Sequence, residues 1–198
     1  MILEQLDIRG LSRRRLLGAV LMCAGAAATA CGGRARSSGD PPAVANGRRF
    51  LVLSADDLVT LAAFAEAVLP APGLGPSYVE TDILRRLDEE MFFVEAAVRA
   101  DLDAALSLLE WYPLVSGHVH RFSHLKATGR TALIERMLSS RFDIPRAIAN
   151  SLRFMVHFLH YAHPATWAMT DFDGPFSRLA PQLSEQRLRY LELTKAVS

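Results

Sequence analysis

Apolar side chains recur at helical spacing in segment after segment of this chain, and prolines punctuate the segments, a pattern that restricts the fold to packed helices. Leu58, Leu61, Ala62, Ala65, Val68 and Leu69 form the first stripe. Ser54 stands ahead of it as a cap, with Leu53 and Leu58 in hydrophobic-staple positions. Pro70 and Pro72, followed by Gly73 and Gly75, stop that helix. Ser77 with Glu80 carries a capping-box signature for a second helix, whose apolar face is Val79, Ile83, Leu84 and Leu87.

From Phe92 to Trp111 the chain is rich in Ala and Leu, with Val94, Val98, Leu102, Ala105 and Leu109 on one stripe. So wide an apolar surface predicts a central, largely buried helix, ended by Pro113. An irregular segment with three histidines and Phe122 follows, then a short helix marked by Leu133, Ile134, Met137 and Leu138. Asp143 is placed to cap the next helix, with Pro145 in its first turn. Ile144, Ile148, Leu152, Met155 and Leu159 make its aliphatic stripe, and Phe154, Phe158 and Tyr161 an aromatic stripe beside it. The two stripes occupy about half of the helix circumference, more than one neighbouring helix covers. By itself the wheel favours a helix packed between two others over a ridge that docks a partner.

Ser184 to Val197 reads as a last, highly charged helix with Leu188, Leu191 and either Tyr190 or Leu193 to bury, fraying or lying against another chain. No stretch alternates apolar and polar residues for long enough to make a sheet. The expectation is an all-α fold, a single irregular helical domain of about five to seven helices spanning 51–198.

Ahead of it, Ser12 to Leu17 contains Arg13 and Arg14 and leads into an uncharged run of Ala, Leu and Gly that ends at Ala28, Thr29, Ala30 and Cys31. Paired arginines before a modest apolar segment form an address for the twin-arginine export route, which carries folded cargo. From Leu16 to Ala30 the run falls short of the roughly 20 residues a spanning helix needs, so 1–31 reads as a removable signal peptide. Small residues before Cys31 also match a lipoprotein processing site, with Cys31 as the lipidated residue. Residues 32–50 are Gly, Ser, Pro, Ala and Arg with few large apolar side chains, the composition of a flexible linker about 24 Å from end to end. Together these lead us to expect the domain on the periplasmic side of a bacterial envelope, held by a lipid anchor if Cys31 is lipidated; the alternative is ordinary cleavage with Cys31 incidental.

Beyond Cys31 stand 18 basic and 19 acidic residues, a balance that argues against nucleic acid as a partner. Cys23 and Cys31 are the only cysteines, so the domain offers no thiolate set for haem attachment or an iron–sulfur cluster. No glycine-rich phosphate-binding signature and no nucleophile-elbow serine occur. His118, His120 and His124, or His157, His160 and His163, could be imagined as metal ligands. His157 and His160 fall on a polar face with Arg146 and Arg153, however, and solvated or partner-facing histidines fit better. Asp171, Asp173 and Gly174 have the wrong spacing for a calcium loop and read as a turn before Pro175. Asp56 and Asp57 suit a helix first turn, and Glu89 and Glu90 an exposed face. No catalytic residue, resident cofactor or metal site is expected.

Two segments carry a family likeness. Leu53 to Leu58 with Ala65 to Pro70 resembles the opening helix of the gluconate 2-dehydrogenase subunit 3 family, the small subunits of membrane-bound FAD sugar dehydrogenases. Tyr161 to Trp167, containing Pro164, followed by Phe172 to Pro175, is similar to that family's aromatic, proline, tryptophan and Gly-Pro closing motif. The resemblance implies a noncatalytic accessory subunit exported together with a large flavoprotein of the glucose-methanol-choline oxidoreductase type. That subunit would carry FAD and the catalytic residues, and a cytochrome c subunit often passes electrons onward. Phe154, Phe158, Tyr161, Pro164, Trp167, Phe172, Gly174 and Pro175 would form the partner interface. His160 and His163 depart from the family pattern, as does the lipoprotein cysteine. The alternative is a self-sufficient periplasmic lipoprotein that binds a small ligand or metal through its histidine-rich segments.

Overall fold

Helix α1 spans Ala55–Val68 in the computed structural model, which describes residues 44–45, 48–71, 73–174 and 183–195. Arg13, Arg14, Cys31, Pro72, Pro175 and residues 32–43 and 46–47 of the expected linker lie outside the described residues. After α1 come α2 (Ile83–Phe93), α3 (Ala96–Val115), α4 (Ala127–Leu138), α5 (Asp143–Tyr161) and α6 (Glu185–Thr194). Single 3-10 segments lie at Phe122–His124 and Pro164–Thr170. The fold is all-α. A two-residue antiparallel ladder, β1 (Val44–Ala45) on β2 (Arg48–Arg49), leads into it.

The start of α1 follows from its sequence. Ser54 Oγ accepts the Asp57 N–H at 3.1 Å, and Asp57 Oδ2 accepts the Ser54 N–H at 2.9 Å, a closed capping box contributing about 1 kcal/mol. Leu53 and Leu58 are both buried, as a staple requires. Leu61 of the α1 stripe and Phe64, which the stripe did not include, reach into a core shared with Leu106 and Leu109 of α3, Leu133 and Met137 of α4, and Leu152 and Val156 of α5. Phe122 completes it, its ring centroid 6.2 Å from that of Phe64. Phe50, at the C-terminal end of the expected linker, is also buried in this core.

Elsewhere the tertiary structure departs from the periodicity. Ser77 and Glu80 make their reciprocal bonds, at 2.6 and 3.2 Å, but these close a turn instead of opening α2. Asp82, left-handed at φ 53°, interrupts the spiral before Ile83 and resets its phase, so Val79 points into solvent rather than joining Ile83 and Leu87. The expected helix from Phe92 to Trp111 is two helices, separated at Val94 by extended backbone. Only Leu106, Leu109 and Pro113 of α3 are buried, so it is not the central helix, and Pro113 lies inside its last turn rather than ending it.

Asp143 is the first residue of α5 and pairs with Arg146; the cap position is Phe142, which offers no side-chain acceptor. Glu89 is buried rather than exposed, with the Arg187 guanidinium 3.0 Å away. Helix α6 opens at Ser184, whose Oγ accepts the Arg187 N–H at 3.2 Å. It docks on α2 through Tyr190, fully buried with its ring 5.9 Å from that of Phe92, whereas Leu188 and Leu193 remain exposed.

Candidate functional site

Helix α5 has one face in the core and one in solvent. Ala149, Leu152, Val156 and Leu159 are buried, while Phe154 is 72% exposed, Phe158 63% and Tyr161 40%. The expectation of a helix enclosed on both sides is therefore corrected: the aromatic stripe has no covering element among the described residues. Phe154 and Phe158, one turn apart, stack with centroids 6.1 Å apart and planes 19° from parallel. They border a shallow open depression of about 810 Å³ lined also by Asn150, Arg153, His157, Tyr161 and Ala162. All lining residues belong to α5 and its C-cap residue, so the shape is an open face rather than an enclosed chamber.

The histidines behind this face have structural assignments that helical spacing did not disclose. His157 donates from Nε2 to the carbonyl of Val68 at 3.0 Å, satisfying an otherwise orphaned acceptor at the end of α1. His160 is fully buried, not solvated. Its Nδ1 lies 3.2 Å from Thr81 Oγ1, and that hydroxyl donates to the Ser77 carbonyl at 3.0 Å. The network therefore requires the ring to donate from Nδ1, leaving Nε2 as a buried nitrogen without a hydrogen-bond partner. Burial first, and the adjacent His157 and His163 second, hold this imidazole below its ordinary pKa. His163 accepts the Ala165 N–H at 3.2 Å and so caps the 3-10 segment that Pro164 opens. His118 meets Arg136 at 2.9 Å.

Trp167, Phe172 and Gly174 form a second group. Trp167 and Phe172 meet edge to face with centroids 5.4 Å apart, and the Phe172 N–H donates to the Trp167 carbonyl at 3.1 Å. Gly174, at φ 103°, lies flat against the indole: a Cβ there would stand 3.0 Å from Cζ3. Thr166, buried, ties this group to α5, its Oγ1 lying 3.1 Å from the His160 carbonyl and 2.7 Å from that of His163. Pro164 is exposed.

Neither group contains a nucleophile–base pair. Among the described residues no group of three or more His, Cys, Asp or Glu is placed to hold a metal ion. No described helix is long and apolar enough to cross a membrane. No family model, curated protein or solved structure matches the chain.

Two carboxylates with organising roles escaped the sequence reading. Asp88 of α2, buried, and Glu110 of α3, half-buried, each organise several elements. Glu110 accepts the Thr60 hydroxyl at 3.1 Å, the Ser123 N–H at 3.0 Å and the Ser123 hydroxyl at 2.6 Å. The available signal was phase: Asp88 lies four residues after Leu84 and three before Met91, and Glu110 four after Leu106 and three before Pro113. Each acid thus sits within an apolar stripe, where an unpaired carboxylate would be costly.

Proposed function

We propose that this chain is a noncatalytic accessory subunit of an FAD-dependent sugar or alcohol dehydrogenase. It escorts the large flavoprotein through twin-arginine export, stabilises it, and helps to anchor it at the periplasmic side of the envelope through Cys31. The exposed aromatic face of α5 is the observation that carries this reading. Aromatic side chains on a helix whose other side is locked into a core are already ordered, so docking them costs little entropy and removes apolar surface from water. The likeness of the N-terminal and closing segments to the gluconate 2-dehydrogenase subunit 3 family supplies the partner class: a flavoprotein of the glucose-methanol-choline type, with a cytochrome c subunit as the electron outlet.

Affinity capture of the tagged full chain from its native envelope tests it. A stoichiometric polypeptide that releases FAD on denaturation and has a glucose-methanol-choline-type sequence supports the proposal. A chain that purifies alone, or that oxidises a sugar or alcohol unaided, refutes it.

A further inference from the structure

The end of α3 and the loop after it form a second exposed surface, remote in sequence from the α5 face. Trp111, Leu114 and Val115 stand at positions i, i+3 and i+4 near the end of α3. Gly117, at φ 91°, turns the chain, and Val119 follows on the loop. Val115 is 81% exposed and Val119 86%, so both side chains project almost whole into solvent.

Cations surround these side chains. The Arg121 guanidinium lies 4.2 Å over the Trp111 ring. Arg136 of α4 lies 2.9 Å from Nε2 of His118 and 3.4 Å from the Ser116 hydroxyl. A guanidinium only donates, so Nε2 of His118 is the acceptor in this contact. Neither arginine has a carboxylate within ion-pair distance among the described residues. Glu110, the acid nearest in sequence on α3, is turned toward Thr60 and Ser123 instead.

Projecting aliphatic groups on a convex helix end make a poor protein interface, which needs roughly 800 Å² from each partner. A bilayer surface asks for much less: a few apolar side chains that pass the headgroups, cations that meet phosphate, and an indole at the boundary. We propose that this tip rests on an anionic phospholipid bilayer. Leu114, Val115 and Val119 enter the boundary between headgroups and acyl chains, and Arg121 and Arg136 meet lipid phosphates. The contact is independent of any flavoprotein partner and orients a tethered domain with the end of α3 toward the lipid.

The two tryptophans of the chain give the test an internal reference. Full-length chain carrying Cys31→Ser is mixed with phosphatidylethanolamine–phosphatidylglycerol vesicles bearing brominated acyl chains. One preparation also carries Trp167→Phe, so that Trp111 reports; another carries Trp111→Phe, so that Trp167 reports. Anchoring by the apolar N-terminal run acts on both preparations alike. Trp111 is expected to be quenched well beyond Trp167. Val115→Gln with Val119→Gln should raise the vesicle concentration for half-maximal quenching of Trp111 about tenfold. Phosphatidylcholine vesicles should abolish the excess. Equal quenching of the two tryptophans, quenching indifferent to the glutamines, or a Trp111 shielded only when another protein copurifies overturns the proposal. Val119→Gln alone, at a loop position, replaces the double variant if the latter loses helical circular dichroism.

Discussion

Tyr190 donates its hydroxyl to Asp88 Oδ2 at 2.7 Å across 102 residues of sequence. The same carboxylate accepts the backbone N–H groups of Leu51 and Val52 at 2.8 Å and of Leu53 at 2.7 Å. One buried acid therefore holds the chain entering α1, the body of α2 and the last helix together. It is affordable in the interior because four donors replace the water it loses.

Replacing Asp88 by Asn leaves an amide N–H₂ facing backbone donors, and about 2–4 kcal/mol of stability should be lost. Tyr190→Phe removes a single bond to a charged acceptor and should cost about 1.5–3 kcal/mol. Urea denaturation monitored by circular dichroism measures both. Near-native stability of Asp88→Asn would show that the clamp is incidental.

Burial and the Asp88 bond also push the Tyr190 hydroxyl far above the ordinary phenol value. The folded state thus keeps a proton that the unfolded chain gives up near pH 10, so this stabilisation is complete below that point and declines as pH rises past it. Tyr190→Phe should flatten the alkaline limb of a plot of melting temperature against pH.

His160 works in the opposite direction. Its lowered pKa means that the unfolded chain protonates first, near 6.5. Stability is complete above that value and is lost as pH falls through the lower, folded-state value. His160→Gln should remove this slope between neutral and mildly acidic pH while lowering stability at neutral pH. A melting temperature with the same acid slope in variant and parent would locate the titrating group elsewhere.

Phe154→Ala with Phe158→Ala removes exposed surface only, so stability should change by less than about 1 kcal/mol. Capture of the proposed flavoprotein partner should nevertheless fall sharply. Undiminished copurification would remove this face from the interface. Phe158 is the cleaner probe than Trp167, whose indole supports Phe172 and Gly174 and whose removal disturbs the segment itself.

Export gives an independent readout. Arg13→Lys with Arg14→Lys should retain both this chain and the proposed flavoprotein partner in the cytoplasm, assayed by cell fractionation and dehydrogenase activity. Unchanged periplasmic activity in that strain would refute the escort role.

Local physics made much of the fold legible in the linear chain. The Ser54 cap, the staple at Leu53 and Leu58, the α1 stripe and the α4 stripe all depend on groups within one helical turn of each other, so spacing alone determined them. The aromatic stripe on α5 was equally visible, but whether a neighbour covers it depends on where the other helices go. That only the packing decided: Phe154 and Phe158 remain in solvent while His160, assigned by spacing to the polar face, is buried against Thr81. Val79 and Glu89 changed sides for the same kind of reason, one because Asp82 resets the helical phase and the other because α6 arrives to cover it. Asp88 shows the limit most clearly, since a carboxylate in an apolar stripe is a liability in one dimension and becomes a clamp only when distant donors converge on it in three.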